Sequence, residues 1–313
     1  MTAKAVAETR ISSILAVLDP SVDRQAALER ALGLAKCFDC PLEAFVSIYD
    51  QYLAGTRFAD SPGLERARKG LKASSEEWVR SRLKTLDVRG VELSVHVGWG
   101  PPCAETILER ARTSGADLIV KEARYHPRLE RALFNNTDWN LLRGFEGALW
   151  LVKPNDWPDS PVILAAVDPS QEHAKPGDLD ARILELAGSM AQVLKGQLHV
   201  VHAYPLISNS ILTIVAIPGA AAYPLEVSAG DVEGRYKDEL EELLAGRQIG
   251  RTNIHFLPGD PGDVLLERSK SLGANLVVMG VVARGPVKRM MLGSTAERVL
   301  DTLRCDVLAV RVA

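Results

Sequence analysis

Short runs rich in Val, Ile and Leu alternate along the chain with longer stretches whose apolar positions recur at helical spacing. The runs predict strands near 11–18, 41–48, 91–97, 117–121 and 147–153, then near 161–167, 197–203, 251–257, 275–280 and 306–312. The amphipathic stretches predict helices near 21–37, 62–86, 102–114 and 137–144, then near 177–195, 228–246, 261–272 and 294–303. Strand–helix alternation implies βαβ units, hence a parallel sheet covered by helices on both faces. Leu276-Val277-Val278-Met279 is apolar throughout, as a central strand of such a sheet must be. Right-handed crossovers leave few topologies and put ligands at the carboxyl ends of the strands.

The pattern occurs twice. Ile14-Leu15-Ala16-Val17-Leu18-Asp19-Pro20 returns as Ile163-Leu164-Ala165-Ala166-Val167-Asp168-Pro169, an offset of 149 (168 minus 19). Glu109-Arg110 and Gly115-Ala116-Asp117-Leu118-Ile119-Val120 return as Glu267-Arg268 and Gly273-Ala274-Asn275-Leu276-Val277-Val278, an offset of 158 (273 minus 115). The growing offset places a net insertion in the middle of the second copy. Copies of this size fit two joined domains of one fold, 1–154 and 155–313, rather than a solenoid. The joint, Lys153-Pro154-Asn155-Asp156-Trp157-Pro158-Asp159-Ser160-Pro161, carries three prolines that stop either flanking strand from running through. The final strands, near 147–153 and 306–312, can then pair edge to edge and remove two exposed edges.

Composition narrows the function classes. At 313 residues each half can bury its own core without a disulfide or metal staple. A net charge of −3 supplies no basic field for nucleic acid. No apolar run is long enough for a membrane span, and the first 20 residues lack the layout of a secretory signal. Four cysteines in no bridging pattern fit a reducing compartment, so a cytoplasmic location is expected.

The segment after the fourth strand of the second half carries the most legible chemistry. It runs Gly280-Val281-Val282-Ala283-Arg284-Gly285-Pro286-Val287-Lys288-Arg289-Met290-Met291-Leu292-Gly293-Ser294-Thr295, and a helix follows. Glycines let backbone N–H groups approach an anion. Ser294 and Thr295 stand where a helix N-terminus favours phosphate, and Arg284, Lys288 and Arg289 add positive charge. Ser294-Thr295-Ala296-Glu297 is also a capping box, which needs no ligand.

This loop, the strand that ends at Asp168 and the closing Cys305-Asp306-Val307-Leu308-Ala309-Val310 strand resemble the universal stress protein domain. That family's nucleotide motif reads Gly, two residues, Gly, nine residues, Gly, then Ser or Thr. The chain gives Gly280, two residues, Ala283, nine residues from Arg284 to Leu292, Gly293 and Ser294. The resemblance covers both halves and is nearest to the tandem, E-type members. It implies an α/β fold of two flavodoxin-like, adenine nucleotide alpha hydrolase-like domains, each a five-stranded parallel sheet with helices on both faces. It implies a stress-response role, pairing of domains across the last strand, and ATP or a related adenine nucleotide in a competent pocket. By position it implies Asp168 near the adenine or ribose, the Ala203 backbone beside the adenine, and Gly259 lining the pocket. Ala283 departs from the motif. Its methyl is tolerated at negative φ and damaging at positive φ.

In the first half, the 158 offset turns Gly280, Ala283, Gly293 and Ser294 into Glu122, Tyr125, Asn135 and Asn136. A carboxylate stands where the loop should begin to cradle an anion. Lys121, Arg124, His126, Arg128 and Arg131 make the segment basic, as a solvated charged loop or a partner surface. ATP is therefore expected in the second domain only, although Asp19 survives in the first.

Tyr204 to Leu225, the insertion of the second half, holds no charged side chain. It must pack on a neighbour, cover a ligand, or bind something apolar. Cys37 and Cys40 have Cys-x-x-Cys spacing but lack a second pair for zinc and stand at the wrong end of a helix for redox work. Cys103 and Cys305 read as buried small apolar residues. His199 and His202 lie three apart on a strand and so face opposite sides. His96 and His255 read as core or rim positions of the third strands. No dedicated catalytic constellation or metal-ligand set is found. Three readings follow: a non-catalytic regulatory protein binding an adenine nucleotide, a scaffold or carrier for a small apolar ligand or protein partner, and a slow ATPase or kinase-like enzyme. The oligomeric state, including a homodimer, is left open.

Overall fold

The computed structural model describes residues 11–49, 62–100, 104–123, 125–126, 131–132, 136–170, 178–206, 212–213, 224–225, 229–281, 283–284, 291–292 and 294–311. The first half contains β1 (Ile14–Val17), α1 (Ala26–Phe38), β2 (Leu42–Ile48), α2 (Pro62–Leu83), β3 (Leu93–Trp99), α3 (Ala104–Ser114), β4 (Leu118–Glu122), β5 (Tyr125–His126), β6 (Arg131–Ala132), α4 (Asn136–Gly144) and β7 (Ala148–Val152). The second contains β8 (Val162–Ala166), α5 (Leu179–Val193), β9 (Gln197–Tyr204), β10 (Leu212–Thr213), β11 (Pro224–Leu225), α6 (Ala229–Leu244), β12 (Ile254–Pro258), α7 (Pro261–Ser271), β13 (Leu276–Gly280), β14 (Ala283–Arg284), β15 (Met291–Leu292), α8 (Ser294–Thr302) and β16 (Asp306–Val310). Each strand and helix that periodicity predicts is present. The two-residue strands β5–β6, β10–β11 and β14–β15 form separate antiparallel ladders, too short to leave a periodic signal.

Local chemistry sets the element ends. Asp39 takes the left-handed conformation, φ 51°, and its N–H returns to Ala35 O, which closes α1 just before β2. Asp260 caps α7 by accepting from the amides of Gly262 (2.9 Å) and Asp263 (3.2 Å), with Pro261 opening the helix.

The ten long strands form one sheet in the order β12-β9-β8-β13-β16-β7-β4-β1-β2-β3. Within each half all neighbours are parallel. The halves meet where β16 pairs antiparallel with β7, Val307 opposite Leu151 and Val310 opposite Ala148. The prolines of the joint keep 153–161 out of the sheet. Alternate side chains build two cores. Ile14 and Ala16 of β1 face the layer of α1, α2, α5 and α6, whereas Leu15 and Val17 face that of α3, α4, α7 and α8.

A buried polar network closes the seam. Asp306, 1% exposed, begins β16. It accepts from the Trp150 indole N–H (3.1 Å), the Lys153 amide (2.8 Å) and the Arg30 guanidinium (3.2 Å). Burial pushes its carboxyl up, and these donors pull the other way. Arg30 also donates to Asn155 O (2.7 Å) and lies 4.3 Å from the ring centre of Trp157, which packs on Trp150. Two cations then cap helices across the seam. Lys153, just after β7, donates to Leu303 O (3.1 Å) beyond α8, and Arg311, just after β16, donates to Arg143 O in the last turn of α4. Burial lowers the Lys153 ammonium to about 8.

Asp306→Ala leaves three donors without their acceptor. It should destabilise the chain by about 3–5 kcal/mol, read as a lower urea midpoint. A loss below about 1 kcal/mol would show that the network does not hold the seam.

Candidate functional site

Strand order brings four of the sequence-singled residues to one edge of the second half. Asp168 follows β8, Ala203 is the penultimate residue of β9, Gly259 follows β12 and Gly280 ends β13, and these strands are neighbours. Ala283 and Arg284 form β14, and Ser294 and Thr295 open α8. Gly293, Lys288 and Arg289 lie outside the described residues.

Asp168 is engaged locally. Its Oδ1 accepts from the Ser170 hydroxyl (2.6 Å) and amide (3.3 Å), while its own amide donates to Asp180 (3.0 Å). Asp19 repeats the turn with Ser21 (2.6 and 2.9 Å) and donates its amide to Gln25 (3.3 Å). An Asx turn thus accounts for the aspartate in both halves, whatever else it contacts. Sequence reasoning missed Gln25 and Asp180, which hold the strand-to-helix bends from different distances along the chain. Gly259 has φ +139° and donates to Tyr204 O (2.9 Å), a backbone shape that side chains rarely adopt.

Gly280 also has a packing reason. A Cβ there would come within 2.7 Å of Leu179 and 3.2 Å of Ile183, so α5 packs directly on the strand end. The first half inverts this arrangement. Its helix begins with the small Ala26, and Glu122 sits at the strand end with its carboxylate accepting from the Ala26 amide. Glu122 Oε2 is buried and has no hydrogen-bond partner among the described residues. Burial, then the charge of Asp19, raises its carboxyl to about 7.

The structure corrects the expectation of a solvated charged loop for Lys121. Its ammonium lies 2.8 Å from the fully buried Asp138 of α4 and donates to Glu122 O (2.9 Å). A buried carboxylate claims the charge that composition assigns to the surface. Arg124 and Arg128 lie outside the described residues.

The apolar insertion is described only in part, residues 207–211 and 214–223 lying outside the described residues. At its start Leu206 is 76% exposed, while Ile211, Ile214 and Ile217, on which shielding of the segment would be judged, lie outside the described residues. Tyr204 stacks on Phe256 at 4.3 Å, and Tyr236 lies beside both Tyr204 and His202. Cys37 is exposed and Cys40 buried. Cys305 is buried, which pushes its thiol up to about 12, and Cys103 lies outside the described residues. His199 meets His255, whereas His202 bonds Val167 O on the other face. Among the described residues no group of three or more His, Cys, Asp or Glu could hold a metal ion, and no helix is long and apolar enough to cross a membrane.

The profile of the universal stress protein family matches residues 11–153 and 161–311. Universal stress protein E of Escherichia coli K12 is 30% identical over 300 residues, covering 96% of this chain and 93% of its own. The Universal stress protein E homolog of Haemophilus influenzae Rd is 27% identical over 96% of this chain and 98% of its own. A universal stress protein structure from Archaeoglobus fulgidus superposes with TM-score 0.68 at 18% identity, covering 96% of this chain and 98% of its own.

The folded chain holds Glu122 protonated at a pH where the unfolded chain ionises it. The resulting stability is full below the ordinary value of 4.5 and is lost as pH rises through about 7. Glu122→Gln should therefore stabilise the protein by about 1 kcal/mol at pH 8, a figure discounted for partial exposure, and leave it unchanged at pH 4. Urea titrations at both values check this, and equal shifts at both would refute it.

Proposed function

We propose, from the premise that the chain belongs to the universal stress protein family, that it is a stress-response binding protein rather than an enzyme. In this reading it takes ATP or a related adenine nucleotide in its second domain, 155–313, and none in its first, 1–154. The observation that carries the reading is the charge at the end of the fourth strand. In the first half Glu122 and Asp19 place two carboxylates together at that edge. Above about pH 7, where Glu122 ionises, a polyphosphate would meet repulsion of about 1–4 kcal/mol from a single carboxylate a few ångströms away. The second half ends the same strand in Gly280 and keeps Asp168. The Gly293-Ser294 entry to α8 would offer amides to phosphate. Asp168, Ala203, Gly259, Gly280, Ala283, Arg284, Gly293, Ser294 and Thr295 would form the site.

The exposed Leu206, at the start of an uncharged segment and two residues from the Tyr204–Phe256 stack, favours a second reading. In that reading the insertion carries a small apolar ligand or meets a protein partner.

Calorimetric titration with ATP decides between them. One site per chain is expected, lost in Gly293→Val and kept in Asn135→Ala. Two equivalent sites, or binding that survives Gly293→Val, would contradict the assignment. No binding in the unaltered protein would favour the second reading.

A further inference from the structure

The internal repeat exposes a second difference, away from the carboxyl edge. Leu42 pairs with Ile14 and Leu198 with Ile163, so Glu43 and His199 occupy the same place on the second strand of each half. Arg110 and Arg268 share the 158 offset on α3 and α7. His96 faces Phe45 and His255 faces Val201, which makes them counterparts on the third strands.

In the first half this trio is neutralised. The Arg110 guanidinium grips both oxygens of Glu43, one at 2.6 Å, with the side chains only 23% and 12% exposed. This is a bidentate arginine–carboxylate pair, the geometry that best satisfies a guanidinium. The second half keeps the arginine and the third-strand histidine but replaces the carboxylate with a second imidazole. The Arg268 Nε is buried and has no hydrogen-bond partner among the described residues. His199, 9% exposed, stacks on His255 with ring centres 5.3 Å apart and an Nδ1···Nε2 distance of 3.0 Å. Burial, then Arg268, then His199 hold the His255 imidazole down at about 4. The stacked imidazoles thus lie within electrostatic reach of Arg268, whose Nε has no acceptor among the described residues. A buried guanidinium N–H without an acceptor is unfavourable, and an oxyanion beside Arg268 would supply one.

We infer that Arg268, His199 and His255 form an oxyanion site that takes a carboxylate or phosphate group in the position that the Glu43 carboxylate fills in the first half. The arginine disfavours a metal ion between the two imidazoles, since a cation there would meet a fixed positive charge. The site lies near the amino ends of β9 and β12, at the opposite edge of the same half from Asp168 and Gly280. It is therefore independent of the proposed nucleotide site.

Imidazole proton signals followed by NMR during titrations with inorganic phosphate and with acetate, at constant ionic strength set with chloride, test this. The signals of His199 and His255 should move saturably, while that of His96, whose arginine is already paired, stays in place. A response to phosphate alone would make the occupant a phosphate group; a response to both would admit carboxylates. Arg268→Gln should weaken binding at least tenfold. His199→Glu, which restores the first half's pairing, should abolish it in a protein that folds at least as well as the parent. Unmoved signals in both titrations would overturn the proposal. So would undiminished binding in either variant, or equal movement of His96.

Discussion

The antiparallel pairing of β7 with β16 turns two five-stranded sheets into one body. Each half alone would present its last strand as an unpaired edge, apolar on both faces and open to association. Pairing removes both edges, yet it drives polar chain ends into the interior. Asp306 answers that by collecting Trp150, Lys153 and Arg30, contributions from strand, joint and helix of the other half. Lys153 and Arg311 complete the junction, each capping the final helix of the opposite half. The joint gains its course from the same network, because Trp157 is held between Trp150 and Arg30.

This geometry separates the two halves functionally. Antiparallel pairing points the carboxyl ends of the first five strands and of the second five toward opposite edges of the sheet. The pocket regions are therefore remote from one another, and one half can change its chemistry without disturbing the other. The changes come in compensating sets. Leu179 fills the space over Gly280, where the first half pairs Ala26 with Glu122. Glu43 satisfies Arg110, where the second half places His199. Each copy conserves the packing of the fold while exchanging the charge at a matched point.

The framework was legible because strands buried on both faces and helices buried on one leave unmistakable periods, and because the second copy repeats the first. The contrast between Glu122 and Gly280 followed from the offset alone. What the sequence concealed depends on contacts between distant residues. Gly280 reads as a ligand-facing glycine, and Leu179, over a hundred residues earlier, adds a packing reason that the sequence does not display. Asp306 reads as an ordinary charged residue at the start of a strand, since Arg30, 276 positions away, gives no local sign of their pairing. Lys121 reads as surface until Asp138 comes under it. Asp168 reads as a pocket residue, and the hydrogen bond from its amide to Asp180, twelve positions on, leaves no local sign.

The central claim is that the seam belongs to the cooperative core and is not a docking contact between independent halves. Native-state hydrogen exchange of the amides of β7 and β16 tests it directly. The account predicts that Leu149 to Leu151 and Val307 to Ala309 exchange only through global unfolding, as slowly as the amides of β1 and β8. Faster exchange at the seam than in those inner strands would show that the halves part while each stays folded, and would contradict the account.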